Sequence, residues 1–289
     1  MKIGVSSYSF IKLYGPGFTY FDAIEYAKKT GFDCIEFIDL NVPEGEDILN
    51  FAVRIKDACE AAGLEISAYT VWADFINSFN GDIDKETDRL KGCVDIAAAL
   101  GAKKLRHDVT WGFKTWERGR SYRDAIRIAA PAIREVADYA AAKNIQTMTE
   151  NHGYFMQDSR RMEELVLAVA HPNYGLLVDI GNFACADEDS ISAVSCVAPY
   201  AFHVHVKDFL WKPSSGARPD SEWFATRGGN YLRGTVAGHG IVPFAQCLAI
   251  LTSAGYSDTF SLEFEGTEEP LKAIELGFEA IKRSINSTM

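Results

Sequence analysis

No stretch of this chain stays apolar for anything near the ~20 residues that a membrane-spanning helix needs. Its opening residues, MKIGVSSYSF, have neither a long apolar segment nor a small-residue cleavage site, so a first strand is expected there rather than a secretion signal. Positive charge is scarce: 29 Lys and Arg stand against 40 Asp and Glu, a formal net charge of −11. Such a surface repels phosphate backbones and anionic lipids, so neither nucleic acid nor membrane is expected as a partner. The six cysteines (Cys34, Cys59, Cys93, Cys185, Cys196 and Cys247) never fall in a CxxC spacing. They sit inside periodic segments, the pattern of reduced thiols in a cytoplasmic protein rather than of a disulfide frame. No GxGxxG follows the first strand, which removes the usual dinucleotide fingerprint.

What the chain has is alternation. Short apolar, β-branched runs lie at 2–9, 34–39, 65–71, 104–109, 145–150, 175–180, 201–207 and 259–265. Each has the length and continuous apolarity of a buried parallel strand. Amphipathic segments separate them, at 19–30, 47–62, 84–100, 122–143, 159–170, 189–197, 243–254 and 269–284. Several of these stop at glycine, as in KKTGFD, AAGLE and ALGAKK, where a left-handed cap ends a helix before the next strand. Eight strand–helix units in 289 residues predict an α/β fold, a single (β/α)8 barrel over residues 1–289, in preference to an open doubly wound sheet. One stretch, 208–240, looks long and irregular and is expected to form a binding loop, a lid or a homo-oligomer contact.

Active sites of such barrels lie at the C-terminal ends of the strands. Four consecutive strands end there in side chains able to hold a metal: Glu150, Asp179, His205 and Glu263. Carboxylates and histidine inside apolar strands are costly unless paired or ligating. His203 shares a strand face with His205, and Glu265 shares one with Glu263, so each pair offers two candidates. The position nearer the strand's C-terminal end favours His205. Three oxygen donors and one imidazole suit one divalent cation, Mn2+, Mg2+ or Co2+, with Zn2+ a less fitting alternative. Open coordination positions would take a substrate carbonyl and its neighbouring hydroxyl, and the ion would stabilise the enediolate left when the carbon between them loses a proton.

The segments TMTENHG (147–153), GLLVDIGNF (175–183), AFHVHVKDF (201–209) and FSLEFEG (260–266), with KIGVSSYSF and GFDCIEF (31–37), resemble the xylose isomerase-like TIM-barrel family of sugar and sugar phosphate isomerases and epimerases. The resemblance runs along nearly the whole chain and rests on four motifs in order, one per strand–helix unit. It implies one cation held by Glu150, Asp179, His205 and Glu263, with Glu150 and Glu263 as a catalytic acid/base pair on opposite faces of the substrate carbon. It supports Glu263 over Glu265. Two positions depart from the ketose 3-epimerase subgroup: Asn182 stands where that subgroup has histidine, and Met156 where it has glutamate.

His107, His152, Lys207, Arg233 and His239 sit at or after strand ends and are expected around the substrate, as are Glu36 and Trp72, with Trp111 as a further aromatic wall. Arg227 and Arg233, among the glycines of the 208–240 stretch, could form a phosphate site or equally a surface turn. His171 lies at the opposite barrel end and reads as structural. The expected function is therefore a metal-dependent isomerase or epimerase acting on a small-molecule sugar. A lyase or dehydratase acting on a keto sugar or glycoside would use the same proton abstraction followed by β-elimination. An apurinic endonuclease fits less well, since it needs more histidine ligands and a basic face.

Overall fold

In the computed structural model, which describes residues 1–114 and 120–288, eight parallel strands close into a barrel. In chain order these are β1 (Lys2–Ser6), β2 (Cys34–Ile38), β3 (Glu65–Val71), β4 (Lys104–His107), β5 (Gln146–Glu150), β6 (Tyr174–Asp179), β7 (Ala201–Val206) and β11 (Thr259–Leu262). The order around the barrel is β1-β11-β7-β6-β5-β4-β3-β2. Outside it run α1 (Tyr20–Thr30), α2 (Ile48–Ala62), α3 (Ile83–Leu100), α4 (Tyr122–Ala141), α5 (Ser159–Val169), α6 (Ser190–Val197), α7 (Phe244–Ser253) and α8 (Pro270–Thr288). Thr19 with Asp22, and Ser121 with Asp124, form reciprocal caps at the starts of α1 and α4. Gly31 and Gly63 end α1 and α2 in the left-handed conformation that the sequence anticipates. Among the described residues no helix is long and apolar enough to cross a membrane.

Strand side chains alternate between two environments. Outward-facing Val5, Ile35, Phe37, Val178, Val204, Val206, Phe260 and Leu262 join the helices in the main apolar core. Inward-facing Ala68, Met148 and Leu177 fill the middle of the barrel, with Phe202 packed against them. The same parity carries Arg106, Glu150, His205 and Glu263 to the upper, open end. It also corrects one expectation. Because Arg106 faces inward, His107 faces the helices: it is fully buried, lies against the Tyr174 ring at 6.2 Å and meets Phe75 edge-on at 5.6 Å.

The 208–240 stretch is less irregular than its composition suggests. Strands β8 (Asp208–Lys212), β9 (Phe224–Ala225) and β10 (Tyr231–Thr235) form an antiparallel sheet in the order β8-β10-β9, with Phe209 and Leu232 buried against Ala184 and Cys185. Glycine and proline obscured the short strands between them. One carboxylate ties the end of this sheet back to the barrel: Asp208 accepts backbone N–H groups from Phe209 (2.9 Å), Gly238 (2.9 Å), Gly240 (2.8 Å) and Val242 (3.0 Å).

Two outcomes follow. Asp208→Ala strands four backbone donors and is expected to lower stability by about 2–4 kcal/mol, read as a shifted urea midpoint; an unchanged midpoint would show that water replaces the carboxylate. For His107, burial lowers the pKa to about 4. A folded value below the unfolded one of about 6.5 means the stability contribution is complete above pH ~6.5 and is lost as pH falls toward 4. His107→Leu should therefore flatten the acid limb of the stability profile by about 3 kcal/mol at most.

Candidate active site

At the open end of the barrel, Glu150 closes β5 opposite Leu177, Asp179 closes β6 two residues further on, and His205 stands opposite Asp179 in register. Glu263 follows β11 directly. One donor atom from each of Glu150, Asp179, His205 and Glu263 lies within 4.8 Å of the others, and all four residues are buried. Nδ1 of His205 is 3.5 Å from a carboxylate oxygen of Glu150, 3.5 Å from one of Glu263 and 3.9 Å from one of Asp179.

Each member is oriented from behind. Asp179 accepts the backbone N–H groups of Gly181 (2.8 Å) and Asn182 (3.0 Å) through Oδ1, which turns Oδ2 toward the cluster. Its own backbone is clamped by the Asn151 amide, which accepts from Asp179 N and donates to Asp179 O. Gly181 is required at its position because a Cβ would sit 2.7 Å from the Lys207 carbonyl oxygen; the ends of β6 and β7 meet there. His205 donates from Nε2 to Glu36 at 2.5 Å, and Glu36 also accepts from Nε2 of His203 at 2.8 Å. With Nε2 committed as donor, neutral His205 presents a lone pair from Nδ1 to the cluster, the arrangement that backs metal-bound imidazoles.

Cations balance the carboxylates. Arg106 pairs with Glu150 at 2.6 Å and with Asp108 at 2.8 Å. Lys207 pairs with Glu263 at 2.6 Å, Glu265 at 3.2 Å and Asp179 at 3.3 Å. Burial pushes the Glu150 carboxyl up, but Arg106 and His205 outweigh it and hold the pKa at about 2. Burial acts on Glu263 in the same way, and Lys207 and His205 hold it well below the usual range. Asp179 is pushed up to about 6, chiefly by burial, with Lys207 opposing and Glu150 and Glu263 reinforcing. For His205, burial disfavours charge, yet Glu36 and Glu263 outweigh it and raise the pKa well above the ordinary value.

The residues present fit a divalent cation. Asp179 Oδ2 and His205 Nδ1 are buried 3.9 Å apart and neither makes a hydrogen bond; Lys207 offsets the carboxylate's charge from 3.3 Å, and a cation between the two atoms would give both a partner. The oxygen-rich donor set is that of Mg2+ or Mn2+ more than of a structural zinc site. The second grouping that could hold a metal, Glu36 with His203 and His205, already hydrogen-bonds both carboxylate oxygens.

Of the other anticipated residues, His152, Lys207 and Trp72 line the cavity above the cluster, and His152 is held by Asp108 at 3.0 Å. Trp111 meets His152 edge-on at 5.1 Å. Glu36 lies fully buried behind His205, so it positions the imidazole rather than reaching a sugar hydroxyl. Arg233 is drawn away to stack over Trp223 at 5.5 Å, and His239 is exposed in the turn after β10. Neither lines the cavity among the described residues. The phosphate site expected at Arg227 is not formed there: Arg227 pairs with Asp158 at 2.7 Å and with the Tyr154 carbonyl. His171 pairs with Asp138 far from the cluster, as expected. Arg106, Asp108 and Tyr8 also line the cavity and were not anticipated. Strand parity was the signal for Arg106, which shares its face with Lys104 in the run KLRHDV.

Titration with Mn2+ or Mg2+ should give one ion per chain by calorimetry. Asp179→Asn is expected to weaken binding at least ~100-fold and Glu36→Gln about 10–100-fold. Equal affinity in both variants and the parent would place the ion elsewhere.

The fold recurs in solved structures. An L-ribulose 3-epimerase is 18% identical with a TM-score of 0.74, covering 99% of this chain and 95% of that one. A probable 3-DHS dehydratase, AsbF, from Bacillus anthracis is also 18% identical at a TM-score of 0.74, covering 98% and 99%. A protein from Mycobacterium smegmatis, solved in complex with magnesium, is 18% identical at 0.74, covering 99% and 97%. No curated protein sequence matches the chain. Residues 24–284 match the family model described as xylose isomerase-like TIM barrel, and the chain belongs to that family.

Proposed function

We propose that this protein is a divalent-metal-dependent sugar isomerase or epimerase that moves a proton between carbons next to a carbonyl. The observation that carries this reading is the convergence of Glu150, Asp179, His205 and Glu263 within 4.8 Å, with Asp179 Oδ2 and His205 Nδ1 facing one another and making no hydrogen bond. These four residues would hold the cation, which supplies polarisation of the substrate carbonyl and compensation of the charge that develops as the adjacent carbon is deprotonated. The family's sugar-modifying members and the magnesium-bound relative are in keeping with this.

The chain's own groups divide the remaining work. Glu150 and Glu263 enter from different strands, and each is ionised at neutral pH, so either can accept the proton from its side of the carbon. The other carboxylate takes a proton from solvent and delivers it from the opposite side, and the first then releases the proton it removed to solvent. Arg106 and Lys207 stay bound to these carboxylates and limit their mutual repulsion. The Asn182 amide donates to Glu150 at 3.1 Å and fixes the oxygen not held by Arg106. Trp72 and His152 border the cavity, where a sugar's apolar face and hydroxyls would lie.

A second reading, elimination from a keto sugar or glycoside, begins with the same proton removal. It is favoured by a hollow beside Lys207 and Glu265 that could take a departing group.

With Mn2+, Mg2+ or Co2+ supplied, a panel of aldoses and ketoses in D2O should lose the hydrogen signal next to the carbonyl in proton NMR spectra. Chelation should stop the exchange, and Glu150→Gln and Glu263→Gln should each slow it about 10²–10⁴-fold. Appearance of an unsaturated sugar with a released group would select elimination. Failure of every sugar to exchange or react in the metal-loaded protein would refute both readings.

A further inference from the structure

The cavity over the cluster, about 230 Å³, is one of two adjoining lobes. The second, about 200 Å³, shares His152, Lys207 and Glu265 with it. Each is smaller than the ~300 Å³ at which pockets begin to enclose a drug-sized ligand. The first therefore has room for one sugar ring, and the second offers space beside it for a group attached to that ring.

The two lobes differ in chemistry. Carboxylates crowd the first: Asp39, Asp108, Glu150, Glu263 and Glu265 all line it. Its two permanent cations, Arg106 and Lys207, are already paired. The second lobe is walled by three aromatic rings from three separate segments, Trp111, Tyr154 and Phe224. Trp111 packs on the face of Gly153, where even a Cβ would come within 3.3 Å of the indole.

Tyr154 is the telling residue. Its φ is +62°, a left-handed conformation uncommon for a bulky side chain. Three contacts fix it: its N–H donates to Gln157, its carbonyl accepts from Arg227, and its hydroxyl donates to the Ala225 carbonyl at 3.0 Å. Arg227 and Ala225 belong to the β8–β10 excursion, which also supplies Phe224. Asp187 in turn anchors that excursion, accepting from Thr226 and Asn230 at 2.7 Å each. The excursion thus holds a strained tyrosine at the hollow and adds a phenylalanine to its lining.

We propose that the cleft takes an uncharged sugar derivative: a carbonyl-bearing sugar ring over the Glu150–Asp179–His205–Glu263 cluster, and a planar, apolar group attached to that sugar between Trp111, Tyr154 and Phe224. This rests on the reading of the cluster as a sugar site and narrows it to a substrate class. A phosphorylated sugar is the wrong partner, because its dianion would face the carboxylates with no free cation in either lobe among the described residues.

The test compares methyl and 4-nitrophenyl pyranosides of several sugars, and glucose 6-phosphate against glucose. Binding is measured by calorimetry and by quenching of tryptophan fluorescence. For at least one sugar the nitrophenyl glycoside should bind about tenfold or more tightly than the methyl glycoside, the preference that aromatic stacking supplies. Trp111→Ala and Phe224→Ala should each shrink that ratio several-fold, with urea midpoints confirming that both variants are folded. Glucose 6-phosphate should bind no more tightly than glucose. A ratio near one for every sugar, no binding by any nitrophenyl glycoside, a ratio unchanged in both variants, or tighter binding of the phosphate would overturn the proposal. Aromatic preference without hydrogen exchange on any substrate would sink the isomerase reading and leave the subsite standing. Exchange on free sugars with indifferent aryl binding would do the reverse.

Discussion

Three carboxylates and an imidazole meet within 4.8 Å at the top of the barrel, and their mutual repulsion is the constraint that the surrounding structure answers. Two like charges ~4 Å apart repel by about 4 kcal/mol at an effective dielectric of about 20. Glu150 is answered by Arg106 and Glu263 by Lys207, each at 2.6 Å. His205 is turned by Glu36 so that its free nitrogen faces the carboxylates. Asp179 shares Lys207 at 3.3 Å but accepts no hydrogen bond at Oδ2, and that oxygen and the free nitrogen of His205 mark the place a cation would fill.

Much of this was legible in the sequence because strand-end position and residue type coincide. Glu150 and Asp179 are the last residues of β5 and β6, and His205 and Glu263 fall within one residue of the ends of β7 and β11. The helices were legible for a simpler reason, their apolar period and their capping residues. What the sequence concealed depends on the third dimension. His107 and Arg106 are neighbours, and only the barrel's inward parity says which one reaches the cavity. Glu36 could be placed on its strand but not assigned its partners, since His203 and His205 lie 167 and 169 residues away. Arg227 carries the charge of an anion ligand in the sequence, but in the fold Asp158 and the Tyr154 carbonyl occupy it.

The excursion between β7 and α7 connects fold to specificity. It begins immediately after Lys207, so the same segment that ends the charge-balancing strand goes on to build a wall of the neighbouring lobe. Asp208 fastens its far end and Asp187 its middle. The barrel thereby presents a rigid charged floor, while a small appended sheet shapes what can approach it. Barrels of this kind vary function through such loops over a constant strand-end layer.

The central claim is that one cation sits among Glu150, Asp179, His205 and Glu263. Anomalous diffraction from a crystal soaked in Mn2+ tests it most directly. A single peak is expected within coordination distance of Asp179 Oδ2, His205 Nδ1 and one oxygen from each glutamate. No peak there, or a peak held instead by Glu36 and His203, would contradict it.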